Sequence, residues 1–397
     1  MSFNIWTDCP RVPITQLLEF IVDNRGKTVP TAPSGHKLIA TNCVTNNTLF
    51  PVYEKVRYLS DETYRTWFRA HPIPGDILFV NKGTPGRVCM VPDPVDFCIA
   101  QDMIALRADD SKIYNKYLFA VLRSSEIQTQ IYNTNVGDVI PHFKKQFMDQ
   151  LLIPVPERKI QKAIGDLYYT LSYKIEHNKK INDNLQQQAL AIFQQELLLS
   201  GDLPAAWSTG SLLDIANYLN GLAMQKFRPA DGENGLPVLK IKELRQGFCD
   251  SSSELCSPSI KPEYIIHDGD VIFSWSGSLL VDLWCGGTCG LNQHLFKVTS
   301  GRYPKWFYYA WTAHHLARFV AIAADKATTM GHIKREELEK AEVIIPDAAS
   351  MERIGGVLQP MHDLIISNRI ENRKLAALRD TILPKLMSGE LDIGDLS

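Results

Sequence analysis

The chain has 397 residues, 45% of them hydrophobic and 22% charged. That composition suits a globular protein with two or three cores and excludes a disordered or fibrous class. The net charge of −2 and pI of 6.6 argue against a free-standing basic nucleic-acid binder, so any DNA contact must come from local patches or be shared with a partner.

Charge is also balanced locally. Residues 1–156 carry 16 Lys and Arg against 15 Asp and Glu, and residues 205–346 carry 14 against 15. No apolar run has the length of a membrane span, and the N-terminus lacks a signal-peptide run, so a cytoplasmic protein without a membrane partner is expected. The eight Cys are scattered through apolar stretches and read as buried thiols. Cys285 and Cys289 have loose metal-ligand spacing, but no second Cys/His pair follows, so no metal site is expected.

In chain order, Trp6 opens the first block, and Ile14 to Asp23 has a helical look. Arg25 to Pro30 is a basic loop, and Lys37 to Asn47 reads as a strand ending in a turn. Pro74 to Val91 reads as strand, glycine turn and strand, because Gly83-Thr84-Pro85-Gly86 cannot continue a strand. Tyr114 to Ile131 reads as a helix. Val136 to Pro156 then leads into a long helix from Glu157 to Leu199, roughly 63 Å if unbroken. Its apolar residues Ile160, Ile164, Leu167, Leu171, Ile181, Leu185 and Ile192 have alternating three- and four-residue spacing with one gap, the mark of a helix built to lie against another.

The same order then repeats with a period of about 190 residues. Trp207 answers Trp6, and the basic Met224 to Pro229 answers Arg25 to Pro30. Asp268 to Leu279 answers the strand at Gly75. Tyr303 to Ala321 answers the helix at Tyr114, and His332 answers His142. A second long helix, Met351 to Gly389, closes the chain. The series Ile164, Leu171, Asn178, Leu185, Ile192 matches Ile354, Met361, Asn368, Leu375, Ile382, each with one Asn inside an apolar seam. A buried Asn fixes register because its amide needs a partner, so antiparallel packing is expected to bring Asn178 and Asn368 face to face. Pro360 and Pro384 are expected to kink or fray the second helix. Ile175, Phe193 and Leu198, left beside the seam, either face a partner or pack on the nearby blocks.

The expected fold is α+β. Two similar globular blocks, 1–155 and 202–346, are each followed by a long helix, 156–201 and 347–390. The helices pair as an antiparallel coiled coil with pseudo-twofold symmetry. The repeat order survives while the side chains of the blocks diverge, which suits two unlike surfaces on one frame.

This arrangement resembles the specificity subunit of type I restriction-modification systems. The local features that carry the resemblance are Trp6 and Trp207, the Gly-Asp-led strands at Gly75 and Gly269, and the hinge Ile153 to Glu157 with its Gln161 to Ile164 run. The helix ends Ser200 to Leu203 and Ser388 to Leu391 add to it. The second hinge departs from the pattern, since Ile345-Pro346-Asp347 lacks a second Pro. The resemblance implies two target-recognition domains, each reading one half of a split, asymmetric double-stranded DNA target. It implies two methyltransferase subunits and motor-nuclease subunits as partners. It also implies no catalysis and no cofactor in this chain, with S-adenosylmethionine, ATP and Mg used by the other subunits. The residues agree on the last point, for they hold no dinucleotide or Walker glycine loop, no H-E-x-x-H and no G-x-S-x-G. His314-His315 lies in an aromatic helix and reads as structural.

Readers of DNA need Lys and Arg for phosphates and polar side chains for base edges. The candidates are Arg25, Lys27, Lys82, Thr84, Arg87, Lys144 and Lys145 in the first block. In the second they are Lys226, Arg228, Lys240, Lys242, Ser276, Ser278, Lys334 and Arg335. The competing reading is a non-enzymatic pseudo-twofold adaptor that grips proteins at both ends without touching DNA.

Overall fold

The computed structural model describes residues 3–24, 28–134, 141–198, 202–325 and 333–391. It divides into two units, Met1–His177 with Lys374–Ser397, and Asn178–Arg373. Each unit therefore holds one globular block together with part of both long helices.

In the first unit the run Ile77–Val80 is buried at every position. Ile77 and Phe79 enter one apolar cluster while Leu78 and Val80 enter another, so the two-residue period of the strand feeds a core on each face. This strand sits inside an antiparallel sheet of order Leu18–Val22, Met103–Ala108, Ile77–Val80, Val88–Met90. A second sheet has the order Arg57–Leu59, His36–Ile39, Phe97–Ile99, and its last pair is parallel. Arg11–Pro13 pairs with Leu152–Pro154 to close the block.

The second unit repeats this plan. Its first sheet runs Asn217–Asn220, Leu295–Thr299, Val271–Ser274, Leu280–Leu283. Again Val271 and Phe273 face one cluster and Ile272 another. Its second sheet runs Leu255–Cys256, Leu236–Leu239, Cys289–Leu291, Ile265–Ile266, one strand more than its counterpart, and the central pair is again parallel. Ser208–Ser211 pairs with Glu342–Ile345 as the closing ribbon.

Two local expectations are corrected. Ile14 to Asp23 is not one helix: a 3-10 turn, Ile14–Leu17, passes into the strand Leu18–Val22. A ten-residue helix alone is marginal, and the ladder offered by Met103–Ala108 outweighs its propensity. The helix at Tyr114 is two helices, Asn115–Leu122 and Ser125–Asn133, because Ser124 stops the first and its Oγ accepts the Ile127 N–H of the second. The counterpart divides in the same way, into Lys305–His314 and Leu316–Asp325.

The long helices run Arg158–Leu197 and Ala348–Ser388. Each is seated on its own block through a glycine one repeat apart. A Cβ on Gly165 would lie 2.6 Å from the Tyr117 backbone nitrogen, and one on Gly355 would lie 2.9 Å from Trp306 Nε1. The hinge glutamine helps at the first site: Gln161 is buried, accepts from the Tyr114 N–H at 2.8 Å and donates to the Pro156 carbonyl at 2.7 Å. The second helix stays assigned as helix through Pro360 and Pro384, so neither proline ends it.

Within the first unit, Ile164, Leu167 and Leu171 line a narrow apolar seam with Ile382, Leu383 and Leu386. Arg379 lies buried beside it, over the Tyr168 ring. Within the second unit, Glu196 takes Arg353 in two hydrogen bonds of 3.0 and 2.7 Å. In both, residue numbers on the two helices rise in opposite directions. Phe193 is a member of the second core and Leu198 packs on it, so both serve the block, while Ile175 is buried in the first unit.

The asparagine register is corrected as well. Asn178 is fully buried and donates to Asn372 Oδ1 at 2.9 Å and to Glu371 Oε2 at 2.6 Å. Asn368 donates to Asn182 Oδ1 at 2.9 Å, and Asn182 donates to the Ile365 carbonyl. Each helix carries Asn at two positions one turn apart, 178 and 182 or 368 and 372. The first Asn of one meets the second Asn of the other, and Asn178 does not bond Asn368. A double-mutant cycle on thermal unfolding should therefore find Asn182→Ala and Asn368→Ala coupled by roughly 0.5–3 kcal/mol, with Asn178→Ala and Asn368→Ala additive within about 0.5 kcal/mol. The opposite ranking would restore the register expected from sequence.

Candidate nucleic-acid interface

In each unit the chain leaves its most buried strand at the same place and is tied there by the backbone. After Val80, Asn81 takes its N–H to the Asp102 carbonyl at 3.0 Å and offers its own carbonyl to the Phe143 N–H at 2.8 Å. Lys82 also donates its N–H to Asp102, and the Gly83 N–H reaches the Pro141 carbonyl. Asp102 holds this turn with φ of 77°, a left-handed conformation unusual for a non-glycine residue. In the second unit the Ile333 N–H donates to the Trp275 carbonyl at 2.9 Å, the counterpart of the Phe143 bond.

Both strand ends open onto a cleft. The first has a volume of about 480 Å³, and Asp23, Arg69, Asn81, Lys82, Asp102 and His142 line it with Gln101. Asn24 follows Asp23 in sequence and bonds the backbone of the lining Arg69. It is buried and satisfied on both sides, donating to the Ala70 and Ile99 carbonyls and accepting from the Arg69 N–H. The second cleft has a volume of about 600 Å³ and a different lining: Asn217, Tyr218, Asn220, Trp275, Phe296 and the pair Lys334 and Arg335. The Trp275 indole donates to Asn220 Oδ1 at 3.0 Å and lies 5.7 Å, centroid to centroid, from the Phe296 ring. One cleft is polar and charged. The other is aromatic, with cations at its rim.

Some of the residues expected from sequence meet at these clefts and some do not. Lys82 lines the first cleft, 3.8 Å from Asp102. Lys145 pairs with the lining Asp23 at 3.2 Å, and Lys144 is exposed beside it. Arg87 is exposed but outside the lining, and Thr84 Oγ1 is buried without a partner among the described residues. Arg25 and Lys27 lie outside the described residues, as does His332. In the second unit Lys334 and Arg335 line the cleft, and neither forms an ion pair with a described residue.

Ser276 follows Trp275 but is buried, bonded to His294 Nδ1 at 3.0 Å, and the Ser278 carbonyl accepts from Ser274. Those two serines serve the turn. Lys226, Arg228, Lys240 and Lys242 gather elsewhere, around the second sheet. Arg228 and Lys240 share Glu254 at 3.5 and 2.5 Å, and Lys242 reaches Asp250 at 3.6 Å. Sequence reasoning missed Asn81, Arg69 and Gln101. The available signal was an asparagine directly after the buried Ile77–Val80 run.

His315, Cys285 and Cys289 serve structure. His315 is buried, its ring bonded to the Glu342 carbonyl at 2.8 Å, and burial pulls its pKa below the ordinary histidine value. Burial also pushes the Cys285 thiol up to about 11 and raises Cys289 further, which holds both in the thiol form. Among the described residues no cluster of His, Cys, Asp or Glu has the arrangement of a metal site, and no helix is long and apolar enough to cross a membrane.

Comparison with known proteins shows what this frame is similar to. Residues 31–187 match the type I restriction modification DNA specificity domain. Over 345 residues the chain is 23% identical to the type I restriction enzyme MjaIX specificity subunit of Methanocaldococcus jannaschii, covering 81% of this chain and 79% of that one. It is 19% identical over 400 residues to the HindI specificity subunit of Haemophilus influenzae, covering 80% and 86%. A solved S subunit of a type I restriction-modification system from M. genitalium shares the fold, with a TM-score of 0.56 over 96% of both chains at 14% identity. The chain is thus similar to the type I restriction-modification specificity subunits, most clearly over residues 31–187, which match their DNA specificity domain.

Proposed function

We propose that this protein addresses a type I restriction-modification complex to a bipartite, asymmetric DNA target, each unit reading one half. The observation that supports this most is the pair of clefts. They arise at one position of a repeated frame, each fixed by the same backbone hydrogen bond, yet Asn81 stands in one where Trp275 stands in the other. A scaffold serving symmetrical protein partners would have no use for unlike linings at equivalent places.

In this reading residues 1–155 and 202–346 are target-recognition domains, and the helices over 156–201 and 347–390 pair as an antiparallel coiled coil that sets the gap between half-sites. The chain performs no catalysis. It scaffolds two methyltransferase subunits, and motor-nuclease subunits join them, with S-adenosylmethionine, ATP and Mg handled by those subunits in the cytoplasm. Near-neutral charge is compatible with this role, because phosphate neutralisation is shared with the partners. Sequencing of modified bases in cells with and without this gene is expected to show one split methylated motif that depends on it. No dependent motif, together with an intact complex, would favour the adaptor reading.

The exposed cations of the first unit supply affinity more than sequence choice. The Lys82 ammonium is tied to Asp102 only by a loose, exposed pair, a kind worth about 0–1 kcal/mol and readily exchanged for a phosphate. Lys82→Ala with Arg87→Ala should therefore weaken binding of the assembled complex to all duplexes alike and lower its salt slope by about 2. Unchanged affinity and slope would remove this loop from the interface.

A further inference from the structure

Two asparagines are buried in this region, Asn81 in the lining of the first cleft and Asn24 next in sequence to the lining Asp23, and their environments are opposite. Asn24 is 3% exposed, and every polar atom of its amide has a backbone partner. Asn81 is 2% exposed and lines the cleft, yet neither its Oδ1 nor its Nδ2 has a partner. Among the described residues it alone has both amide atoms buried and unmatched. Its backbone is held on both sides, by the Asp102 carbonyl and the Phe143 N–H. The side chain is thus fixed in place and left unsatisfied. Burying a donor or acceptor without a partner is unfavourable, a cost that a bound group can offset.

What that group must offer follows from the amide itself. One end donates and the other accepts, side by side, so the complement is an adjacent acceptor and donor on one rigid edge. In the DNA major groove adenine presents this pair as N7 and the N6 amino group, and asparagine is suited to it. Lys82 and Arg69 beside Asn81 supply positive charge for the flanking phosphates. We propose that Asn81 reads an adenine in the half-target of the first unit, forming two hydrogen bonds to its N6 and N7. This inference rests on the DNA-addressing reading above. It assigns one base to one side chain, and Asn81, not the neighbouring cations, carries the choice.

The test uses the full chain assembled with its methyltransferase subunits, and reads the methylated motif together with duplex binding. The wild-type motif should contain an A·T pair in one half that Asn81→Leu makes degenerate. Discrimination there should fall roughly 5- to 150-fold, while the other half and binding to unrelated duplex stay as they were. Asn81→Asp keeps the shape but cannot donate to N7, so it should move preference at that pair towards cytosine, whose N4 amino group a carboxylate accepts. It also keeps the test open if the leucine variant folds poorly. An unchanged motif in either folded variant overturns the assignment, and so does a uniform loss of binding to all duplexes. If the wild type itself yields no motif, the addressing reading has failed, a result distinct from a motif that ignores Asn81.

Discussion

A single backbone hydrogen bond, made once in each unit, fixes where the two candidate clefts form. Phe143 donates to Asn81, and Ile333 to Trp275. Each bond joins the end of a fully buried strand to the segment that leads into the closing ribbon. The strand cannot shift, because its alternate side chains feed two separate cores. The next residue is therefore held at the cleft from a rigid base, and a rigid base is what base-edge recognition requires.

Duplication makes that constraint useful. The sheet orders agree between units, the parallel pair recurs, and the long helices dock through glycines one repeat apart, at Gly165 and Gly355. These positions are fixed by close approach, so they resist change. The residues that follow the two strands carry less of that load. Asn81 packs into no apolar cluster, and Trp275 only borders one. A frame under tight packing constraint with loosely constrained faces can change what it reads without changing how it folds.

Much of this was legible in the sequence, and the limits have physical causes. Heptad spacing revealed both long helices, since burying one stripe needs nothing beyond local periodicity. Register was misread because one Asn per helix was counted where two act, and the partner of a buried amide depends on the crossing of two distant segments. The segment at Ile14 became largely strand because a ladder with Met103–Ala108, far along the chain, decided it. The cations at Lys82, Lys145, Lys334 and Arg335 were found by type and place. Lys240 and Lys242 were of the right type, yet their carboxylate partners Glu254 and Asp250 approach only through the fold. The first cleft gathers Asp23, Arg69, Asn81, Asp102 and His142, residues too far apart for spacing to connect.

The central claim is that two unlike reading heads occupy equivalent places on one repeated frame. The most direct measurement is the methylated motif produced by a chain that carries the first block, residues 1–155, in both places, assembled with its methyltransferase subunits. The account predicts a split motif whose halves are the same sequence, inverted, with the wild-type first half retained. A folded, active chain that still marked the original asymmetric motif, or a second half unrelated to the first, would contradict it.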